Sequence, residues 1–355
     1  MPSFKLKKIN LSLFIFLLLF VFIQTEPLST QTIYSKSLPQ KIRTFEEDNS
    51  PSAVVILHAR TGKIKYTYND EYVYRRKFPP GSIAKVWTAV VLMENRNTFQ
   101  FSPQKKIDCA GKFLFPSHII TDLDYRLFNF QPDSHSDKSY FACSLRSGHH
   151  DIDLRQALIQ SCNTYFLRNV YTKQKIFYKL LQEKWKLNMN TSVRLNGSYE
   201  LPSVIAKNLT DSQALFSAIG EGGALQVTPL KVAQTFSAFF SQTPMLAPYK
   251  NDQRVLQQYP LEISIETFRY IFSALTQVPV SGTLKKMKIK NSKVEVIAGK
   301  TGSGTHLHKK YATHGWNVIY FEYKNEKYTL VTFVHKGNGS LQARLLSELI
   351  LNNIQ

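Results

Sequence analysis

The chain has 355 residues, of which 43% are hydrophobic and 13% aromatic, and its formal net charge at pH 7 is +20. This length holds one large domain or two small ones with a sizeable core, and the apolar content excludes an intrinsically disordered chain. A basic protein can bind nucleic acid, but the sequence has no basic, aromatic-rich motif of a nucleic-acid module. Nucleic acid is therefore not expected as a partner.

The N-terminus has the pattern of an export signal. Three lysines within the first eight residues precede an apolar run from Leu11 to Ile23, which only Ser12 interrupts. The run is shorter than the roughly 20 apolar residues of a spanning helix, and no pair of small residues suited to cleavage follows it. We predict that residues 1–24 form a retained membrane anchor, with a cleaved signal as the alternative.

The lysines before this run place the N-terminus in the cytoplasm and the rest of the chain outside. The charge of the exported part then has two explanations of equal weight. One is attraction to an anionic membrane or wall polymer, and the other is a solvated, lysine-rich surface. In both cases the body of the protein is predicted to work outside the cytoplasm.

A polar segment at 25–50, rich in Ser, Thr, Pro and Gln, follows the apolar run and is predicted to be a linker. Residues 51–355 are predicted to form the folded domain. Its first strand is predicted at 53–58, and a turn leads into an alternating strand at 64–68. The two strands are expected to pair as a hairpin.

The middle of the chain is mainly helical in its periodicity. Ser82 follows a Pro-Pro-Gly turn and precedes an apolar stretch from Ile83 to Glu94, which predicts a capped helix that runs through the core. Residues 98–150 are polar and have no sustained period, so they are predicted to be an irregular excursion. Further helices are predicted at 153–160, at 164–186, from Thr228 onward and at 265–275.

Strand patterns return towards the C-terminus. Strands are predicted at 294–298, 316–323 and 328–335, and an amphipathic helix is predicted to begin at Ser340. Strands at both ends of a helical middle indicate one α/β domain whose two ends meet in a single sheet.

The segment Ser82–Lys85 (Ser-Ile-Ala-Lys) has a serine and a lysine three residues apart. On a helix this spacing puts both side chains on one face, where the lysine can take the hydroxyl proton if burial lowers its pKa. The same spacing recurs at Ser102–Lys105, but no long apolar helix follows there to bury the lysine. Ser82 is therefore predicted to be a nucleophile and Lys85 its base.

Two further short motifs complete a set. Ser161–Asn163 (Ser-Cys-Asn) supplies a hydroxyl that can relay a proton and an amide that can hold a substrate, although alone it is more typical of a helix cap or turn. Lys300–Ser303 (Lys-Thr-Gly-Ser) follows an apolar strand, and Gly302 leaves the strand edge open for another backbone. The ammonium and the two hydroxyls of this motif form an anion site suited to a carboxylate.

The three motifs, in this order and setting, resemble those of the penicillin-binding proteins, the serine D,D-transpeptidases of the bacterial cell wall. The segments 153–166, 219–230 and 280–283 also resemble this family. The resemblance covers roughly residues 51–340. It implies a β-lactamase/transpeptidase-like fold of the α/β (α+β) class, with helices around a central antiparallel sheet and an all-helical subdomain.

The resemblance also implies a reaction. A stem peptide ending in D-Ala-D-Ala acylates Ser82 through its penultimate residue, the last D-alanine leaves, and an amine of a second strand or water attacks the ester. The implied partners are peptidoglycan stem peptides, β-lactam antibiotics and other wall-synthesis proteins. The implied location is the bacterial inner membrane, which a single anchor crosses, with the catalytic domain on the outer side.

The implied residue roles follow the motifs. Lys85 is the base, Ser161 and Asn163 relay the proton and orient the substrate, and the backbone N–H groups of Ser82 and Ser303 form the oxyanion hole. The remaining residues bind the substrate carboxylate: Lys300, Thr301, Gly302 and Ser303.

Three other functions are also compatible with these motifs. A D,D-carboxypeptidase uses the same acyl-enzyme with water as the acceptor, and a β-lactam sensor or noncatalytic wall-synthesis partner binds without turnover. A serine β-lactamase needs a base for deacylation; Glu200 is the nearest candidate by position, but the segment 201–204 lacks the asparagine of the usual loop. Glu221, in a glycine-rich loop, is expected to be structural or to face the substrate.

The cysteines and histidines are candidates for a disulfide and for metal ligands. Cys109 and Cys143 flank the polar excursion, and a disulfide between them stays open, while Cys162 lies inside the second motif. His149–Asp151 and His306–His308 lack the spacing of a metal-binding helix with a further ligand nearby. No metal ion and no other cofactor is predicted.

Overall fold

The computed structural model describes residues 33–116, 131–132, 138–191, 193–195, 198–250, 257–305 and 313–355. From Tyr34 onward they belong to one unit that extends to Gln355. The predicted anchor at 1–24 and the histidines at 306 and 308 lie outside the described residues. Within the ranges just given, no helix has both the length and the apolar character that crossing a membrane requires.

Among the described residues, the first and the last regular elements are helices. The helices are α1 (Leu38–Glu47), α2 (Ala84–Glu94), α3 (Arg96–Phe99), α4 (Leu154–Gln160), α5 (Asn163–Val170), α6 (Gln174–Trp185), α7 (Asp211–Phe216), α8 (Pro229–Ser241), α9 (Ile265–Leu275), α10 (Val278–Ser281) and α11 (Arg344–Leu351). The strands are β1 (Ser52–His58), β2 (Ile64–Tyr68), β3 (Ile107–Cys109), β4 (Lys112–Pro116), β5 (Gln131–Pro132), β6 (Lys138–Ala142), β7 (His150–Ile152), β8 (Arg194–Leu195), β9 (Ser198–Tyr199), β10 (Val204–Ile205), β11 (Leu225–Gln226), β12 (Met245–Leu246), β13 (Gln258–Tyr259), β14 (Val294–Thr305), β15 (Thr313–Tyr323) and β16 (Glu326–Val334). Short turns of other helix types lie at Glu71–Arg75, Gly81–Ile83, Ser217–Ile219 and Gly339–Ala343.

The largest sheet within the described residues joins the two ends of the domain. Its strand order is β14-β15-β16-β1-β2, and every neighbouring pair is antiparallel. β1 is buried along its whole length because it is rich in Val, Ile and Leu. It pairs with β16 from Ser52 opposite Val334 to His58 opposite Tyr328. The predicted hairpin and the predicted meeting of both ends in one sheet are confirmed.

Helices cover both faces of this sheet. Asn317 and Tyr320 of β15 are three residues apart, so their side chains point to opposite faces. Tyr320 stacks on Phe240 of α8, with ring centroids 4.7 Å apart. Asn317 donates from Nδ2 to Ser347 Oγ of α11 at 3.4 Å. The sheet is therefore the middle layer between α8 and α11, as expected for the predicted α/β (α+β) class.

The all-helical part of the domain is built around α2. Every residue from Ala84 to Met93 is buried, because this helix is apolar on all sides except at Lys85 and Thr88. α6 and α9 pack against it. The Trp185 indole of α6 donates to the Trp87 carbonyl of α2 at 3.2 Å.

Two differences from the predicted elements have simple causes. The helix predicted at 164–186 is divided into α5 and α6, because Thr172 between them has a left-handed backbone with φ of +73°. The excursion predicted at 98–150 contains short strands, in which β3 pairs with β7 and β4 pairs with β6. Strands of three or five residues are too short to show a period in the sequence.

The structure also differs from the linker predicted at 25–50, since residues 38–47 form α1. Leu38 and Ile42 lie one turn apart on this helix and are both fully buried. The helix packs against α11. Two fully buried apolar residues in a mostly polar ten-residue segment are enough to dock a helix but give little signal in the sequence.

Replacing Ile42 by alanine tests whether α1 belongs to the folded domain. The change removes buried apolar contacts and leaves a cavity, so we expect the free energy of unfolding to fall by about 2–5 kcal/mol. Thr44→Ala, at an exposed position of the same helix, is the control and should change it by less than about 0.5 kcal/mol. Urea denaturation measures both variants, and equal stabilities would indicate a linker at 38–47.

Candidate active site

The first motif lies on a sharp turn at the start of α2. Gly81 begins this turn with a left-handed backbone (φ +54°), and a Cβ there would lie 2.3 Å from the Ser303 carbonyl oxygen. Only glycine allows both the conformation and the contact. The Gly81 N–H donates to the Gly220 carbonyl at 3.0 Å. Ser82, the next residue, is therefore held between β14 and the loop that contains Gly220.

The third motif lies in β14, at the edge of the sheet. Lys300–Ser303 pairs with Gly315–Val318 of β15, and no strand in the described part of the chain pairs with the other side of β14. Gly302 packs against the turn before α2, since a Cβ there would lie 2.7 Å from the Ile83 side chain and 2.8 Å from the Pro80 carbonyl. The first and third motifs are thus in contact, and an extended peptide can lie along the open edge.

The second motif lies between two short helices. After α4, Ser161 has a left-handed backbone with φ of +60° and ψ of +42°, and α5 begins at Asn163. This conformation has an energetic cost for serine, so specific contacts must hold it. One such contact is a hydrogen bond of 2.5 Å from Lys85 Nζ to the Ser161 carbonyl.

The two lysines of the motifs meet at the Ser161 hydroxyl. Lys85 Nζ donates to Ser161 Oγ at 3.3 Å and to Asn163 Oδ1 at 2.6 Å. Lys300 Nζ donates to the same Oγ at 2.9 Å and to the Thr301 carbonyl at 3.0 Å. Both lysines are 0% exposed. The structure therefore brings the predicted residues of all three motifs together.

Burial makes both ammonium groups unusually acidic. Removal from water lowers the pKa of Lys85 to about 8 from an ordinary 10.5, although nearby acidic groups, Cys143 first, oppose the change. Burial, and then the charge of Lys85, hold the pKa of Lys300 well below its ordinary value. Two ammonium groups on one hydroxyl repel each other, so one of them loses a proton readily. A neutral amine at this place can act as a base near neutral pH.

Ser82 is half-buried, which leaves its hydroxyl within reach of a ligand. The hydrogen bonds of Lys85 run to the second motif and not to Ser82. The predicted nucleophile, on the turn at Gly81–Ile83, and the predicted base, at the start of α2, are thus close in the chain without a direct hydrogen bond between them. A bond of this kind often tightens only when a substrate is present.

Two hydroxyl groups at the third motif, those of Ser303 and of the neighbouring Thr283, keep a proton for an anion. Ser303 Oγ accepts from the Gly339 N–H at 3.1 Å, so its own proton is not used in this bond. Thr301 Oγ1 donates to Thr283 Oγ1 at 2.7 Å, and the Thr283 proton stays available. Thr283 belongs to the segment 280–283, which resembles the family, but nothing in the sequence indicates its contact with Thr301.

Glu221 ties the end of β14 to the glycine-rich loop. Its carboxylate accepts from the Thr305 N–H at 3.0 Å. In the same loop Gly220 has φ of +73°, and a Cβ there would lie 2.1 Å from the Gly81 carbonyl oxygen. One loop thus fixes both the serine turn and the edge strand, which gives Glu221 a structural role.

Glu200, the candidate base of the β-lactamase alternative, belongs to another hydrogen-bond network. Its carboxylate accepts from the Thr191 N–H at 2.6 Å and from the Thr228 hydroxyl. Burial raises its pKa. Since Thr228 caps α8, the contacts of Glu200 fix the start of that helix.

The three cysteines gather with His149 behind the second motif. Cys109, Cys143 and Cys162 are buried free thiols, so the Cys109–Cys143 disulfide that the sequence left open is not formed. Their Sγ atoms and His149 Nδ1 all lie within 4.8 Å of one another. Hydrogen bonds, from Cys162 first and then from His149, lower the pKa of Cys143. This group of side chains has the composition of a metal site, although the sequence predicted none.

Part of the evidence for such a metal site is present in the sequence. His149 lies between two cysteines that are 19 residues apart, and three cysteines in one chain are enough for a Cys₃His set. The contribution of Cys109 was not visible, because 40 residues separate it from His149 and only the pairing of β3 with β7 brings them together.

A family model for the penicillin binding protein transpeptidase domain matches residues 123–354. The match includes the second and third motifs, and Ser82–Lys85 lies before it. No curated protein matches the sequence.

Solved structures of penicillin-binding proteins have a similar fold. PBP2 of Helicobacter pylori, in a complex with MreC, has a TM-score of 0.67 at 17% identity, over 89% of this chain and 62% of its own. The transpeptidase domain of penicillin-binding protein 3 from Burkholderia pseudomallei has 0.65 at 14%, over 90% and 92%. The D,D-transpeptidase domain of a peptidoglycan glycosyltransferase from Eggerthella lenta has 0.65 at 15%, over 90% and 81%.

This chain spans about three fifths of the length of the Helicobacter pylori protein, and identities this low establish the fold alone. Because the family match extends over well more than half of the chain and agrees with the motifs and the sheet, the chain belongs to the penicillin-binding protein transpeptidase family.

Proposed function

We propose that this chain is a serine D,D-transpeptidase that cross-links peptidoglycan stem peptides through an acyl-enzyme on Ser82, and that β-lactams acylate the same serine. The observation that carries the proposal is the pair of buried lysines on one hydroxyl, Ser161 Oγ. Together with Ser82 on the adjoining turn, this arrangement supplies a nucleophile, a base and a proton relay.

In the acylation step, Lys85 takes the proton of Ser82 as Oγ attacks the carbonyl carbon of the penultimate D-alanine. The backbone N–H groups of Ser82 and Ser303 receive the oxyanion, and the contact between the turn and β14 supports their placement. The peptide C–N bond then breaks. The proton passes from Lys85 through Ser161 to the leaving amine of the last D-alanine, and the ester remains on Ser82.

The open edge of β14 orients the substrate. A stem peptide that lies along this edge brings its terminal carboxylate to Lys300 and to the hydroxyls of Thr301, Thr283 and Ser303. A carboxylate beside Lys300 also favours the charged form of its amine, so substrate binding leaves Lys85 as the lysine that loses its proton.

In the second step the amine of a neighbouring stem peptide attacks the ester carbon, and Lys85 takes a proton from this amine. Lys85 returns the proton to Ser82 Oγ as the ester C–O bond breaks, which leaves a new peptide bond and a free Ser82. Water in place of the amine gives a carboxypeptidase reaction. We also propose that the protein is anchored in the bacterial inner membrane by residues 1–24, with the catalytic domain outside, and that it works with other wall-synthesis proteins, as PBP2 of Helicobacter pylori does with MreC.

The nucleophile is tested by covalent labelling with a fluorescent penicillin. Ser82→Ala is expected to abolish labelling, because no hydroxyl remains to form the ester. Ser102→Ala removes the exposed serine of the second Ser-x-x-Lys copy and should label like the wild type. Gel fluorescence of the denatured proteins is the measurement, with a thermal unfolding curve for each variant. Labelling retained by Ser82→Ala would contradict the assignment.

The acceptor is tested with a stem pentapeptide, alone and with a second stem peptide that carries a free amine. We expect a cross-linked product with release of D-alanine, and a penicilloyl ester that persists for hours, measured by mass spectrometry. Release of D-alanine without cross-linking would identify a carboxypeptidase. Ester hydrolysis in well under a second would identify a β-lactamase. Labelling without any release of D-alanine would identify a noncatalytic binder.

The stability of this site depends on pH through Glu221. Burial raises the pKa of Glu221 to about 7 from an ordinary 4.5, although the bonds from Thr305 and the charge of Lys85 oppose the change. The folded protein thus keeps a proton on Glu221 up to about pH 7, whereas the unfolded chain loses it from pH 4.5. Between these values the folded state binds more protons, so its stability falls as pH rises.

Glu221→Gln should remove this dependence. Glutamine cannot ionise, and its oxygen still accepts from the Thr305 N–H. Relative to the wild type, the free energy of unfolding of the variant is expected to rise by about 2–3 kcal/mol between pH 5 and pH 8. Denaturant titrations at both pH values measure it. Glu295→Gln, at an exposed position of β14, the strand that contains Thr305, is the control. Parallel pH profiles for the wild type and Glu221→Gln would refute the role.

A further inference from the structure

The side chains of Cys109, Cys143, His149 and Cys162 are close enough to share one metal ion. Cys143 Sγ lies 3.7 Å from Cys162 Sγ, and His149 Nδ1 lies 3.6 Å from Cys109 Sγ and 3.5 Å from Cys143 Sγ. Ligands arranged as a tetrahedron around Zn²⁺ are separated by about 3.8 Å for two sulfurs and about 3.5 Å for sulfur and nitrogen. These three distances match the spacing around a zinc ion, and all four ligand atoms lie within 4.8 Å of one another.

The backbone around the cluster is shaped to bring the ligands together. Gly148, before His149, has φ of +90°, and a Cβ there would lie 2.0 Å from the Cys109 carbonyl oxygen. The Cys143 N–H donates to the Gly111 carbonyl at 2.8 Å. These contacts join the segment that follows β3 to the segment that precedes β7, so three ligands come from one folded unit.

The fourth ligand connects this unit to the active site. Cys162 is the middle residue of the second motif, between Ser161 and Asn163. The Asn163 N–H donates to Cys143 Sγ at 3.3 Å, which is a bond that stabilises a thiolate ligand. The cluster thus fixes the backbone on which the relay hydroxyl and the substrate-orienting amide lie.

We infer that Cys109, Cys143, His149 and Cys162 bind one structural zinc ion, which clamps the inserted segment to the turn that carries Ser161 and Asn163. Three soft sulfur ligands and one imidazole, in tetrahedral spacing, suit Zn²⁺ better than Mg²⁺ or Ca²⁺, which prefer oxygen. The three cysteines are at most 5% exposed, and four protein ligands leave no open position, which is typical of a structural site. Binding displaces the thiol protons to solvent.

The full chain, purified with its thiols reduced and without added chelator, provides the first test. We expect one zinc per chain by elemental analysis, and thiols that react with a thiol reagent only after denaturation in chelator. Replacement by Co²⁺ should give a thiolate-to-cobalt charge-transfer band and the visible bands of tetrahedral cobalt. Iron in place of zinc, the absence of metal, or a disulfide that leaves one reactive thiol per denatured chain would each overturn the inference.

Matched variants give the second test. His149→Ala should lose the metal, whereas His150→Ala, at the adjacent exposed position, should keep it. His149→Cys supplies a fourth thiolate and should also keep the zinc, which separates loss of a ligand from general disruption of the fold. Zinc retained in full by His149→Ala would refute the ligand assignment.

The positioning role has its own readout. Removal of the metal from the wild type should slow penicillin acylation on the order of 10²-fold through displacement of the second motif, and zinc should restore the rate. An unchanged rate would contradict the clamp. Only this readout rests on the proposed function: Ser82→Ala is expected to bind zinc like the wild type, so failure of the acyl-enzyme proposal leaves the metal content test intact.

Discussion

The arrangement of the active site follows from the need to keep two lysine side chains out of water. A buried ammonium group is strongly destabilising unless acceptors surround it. Lys85 has three oxygen acceptors on the second motif, and Lys300 has two. Supplying them requires a left-handed Ser161 and a β14 strand that lies against the turn before α2. One electrostatic requirement thus couples three segments that are far apart in the sequence.

Elements that are buried on all sides could be predicted from the sequence. A helix that docks through only two buried residues, and a site assembled from distant segments, could not. β1 and α2 are continuous apolar segments, so their burial follows from composition alone. α1 has only two buried anchors, and the strands of the inserted segment are too short to have a readable period. The three motifs could be identified from the sequence because their residue types and their order are those of an acyl-transfer site. That they lie close together in space depends on the sheet, in which β14 pairs with β15.

The cysteine cluster shows a different limit. A ligand set spread over 54 positions, from Cys109 to Cys162, has no local pattern, and each member alone is compatible with an ordinary core residue. Thr283 is a similar case, since its contact with Thr301 joins the segment after α10 to β14 through side chains. In both cases the contacts join segments that are separated in the sequence, so only the tertiary structure shows them.

The fold tolerates wide sequence change, as the 14–17% identities to solved transpeptidase structures indicate. An apolar central helix and an alternating sheet can be rebuilt from many residues. The glycines at 81, 220 and 302 have less freedom, because a side chain at any of them would overlap backbone atoms of a neighbouring segment.

The pairing of β1 with β16 also determines when the protein can become active during its synthesis. Strand β1, at residues 52–58, is made long before one of its two neighbours in the sheet, β16, at residues 326–334. The turn with Ser82 likewise waits for β14, which is translated long afterwards. A growing polypeptide therefore lacks the contact between the Ser82 turn and β14 until β14 has been made, and its β1 edge needs protection from aggregation until β16 follows.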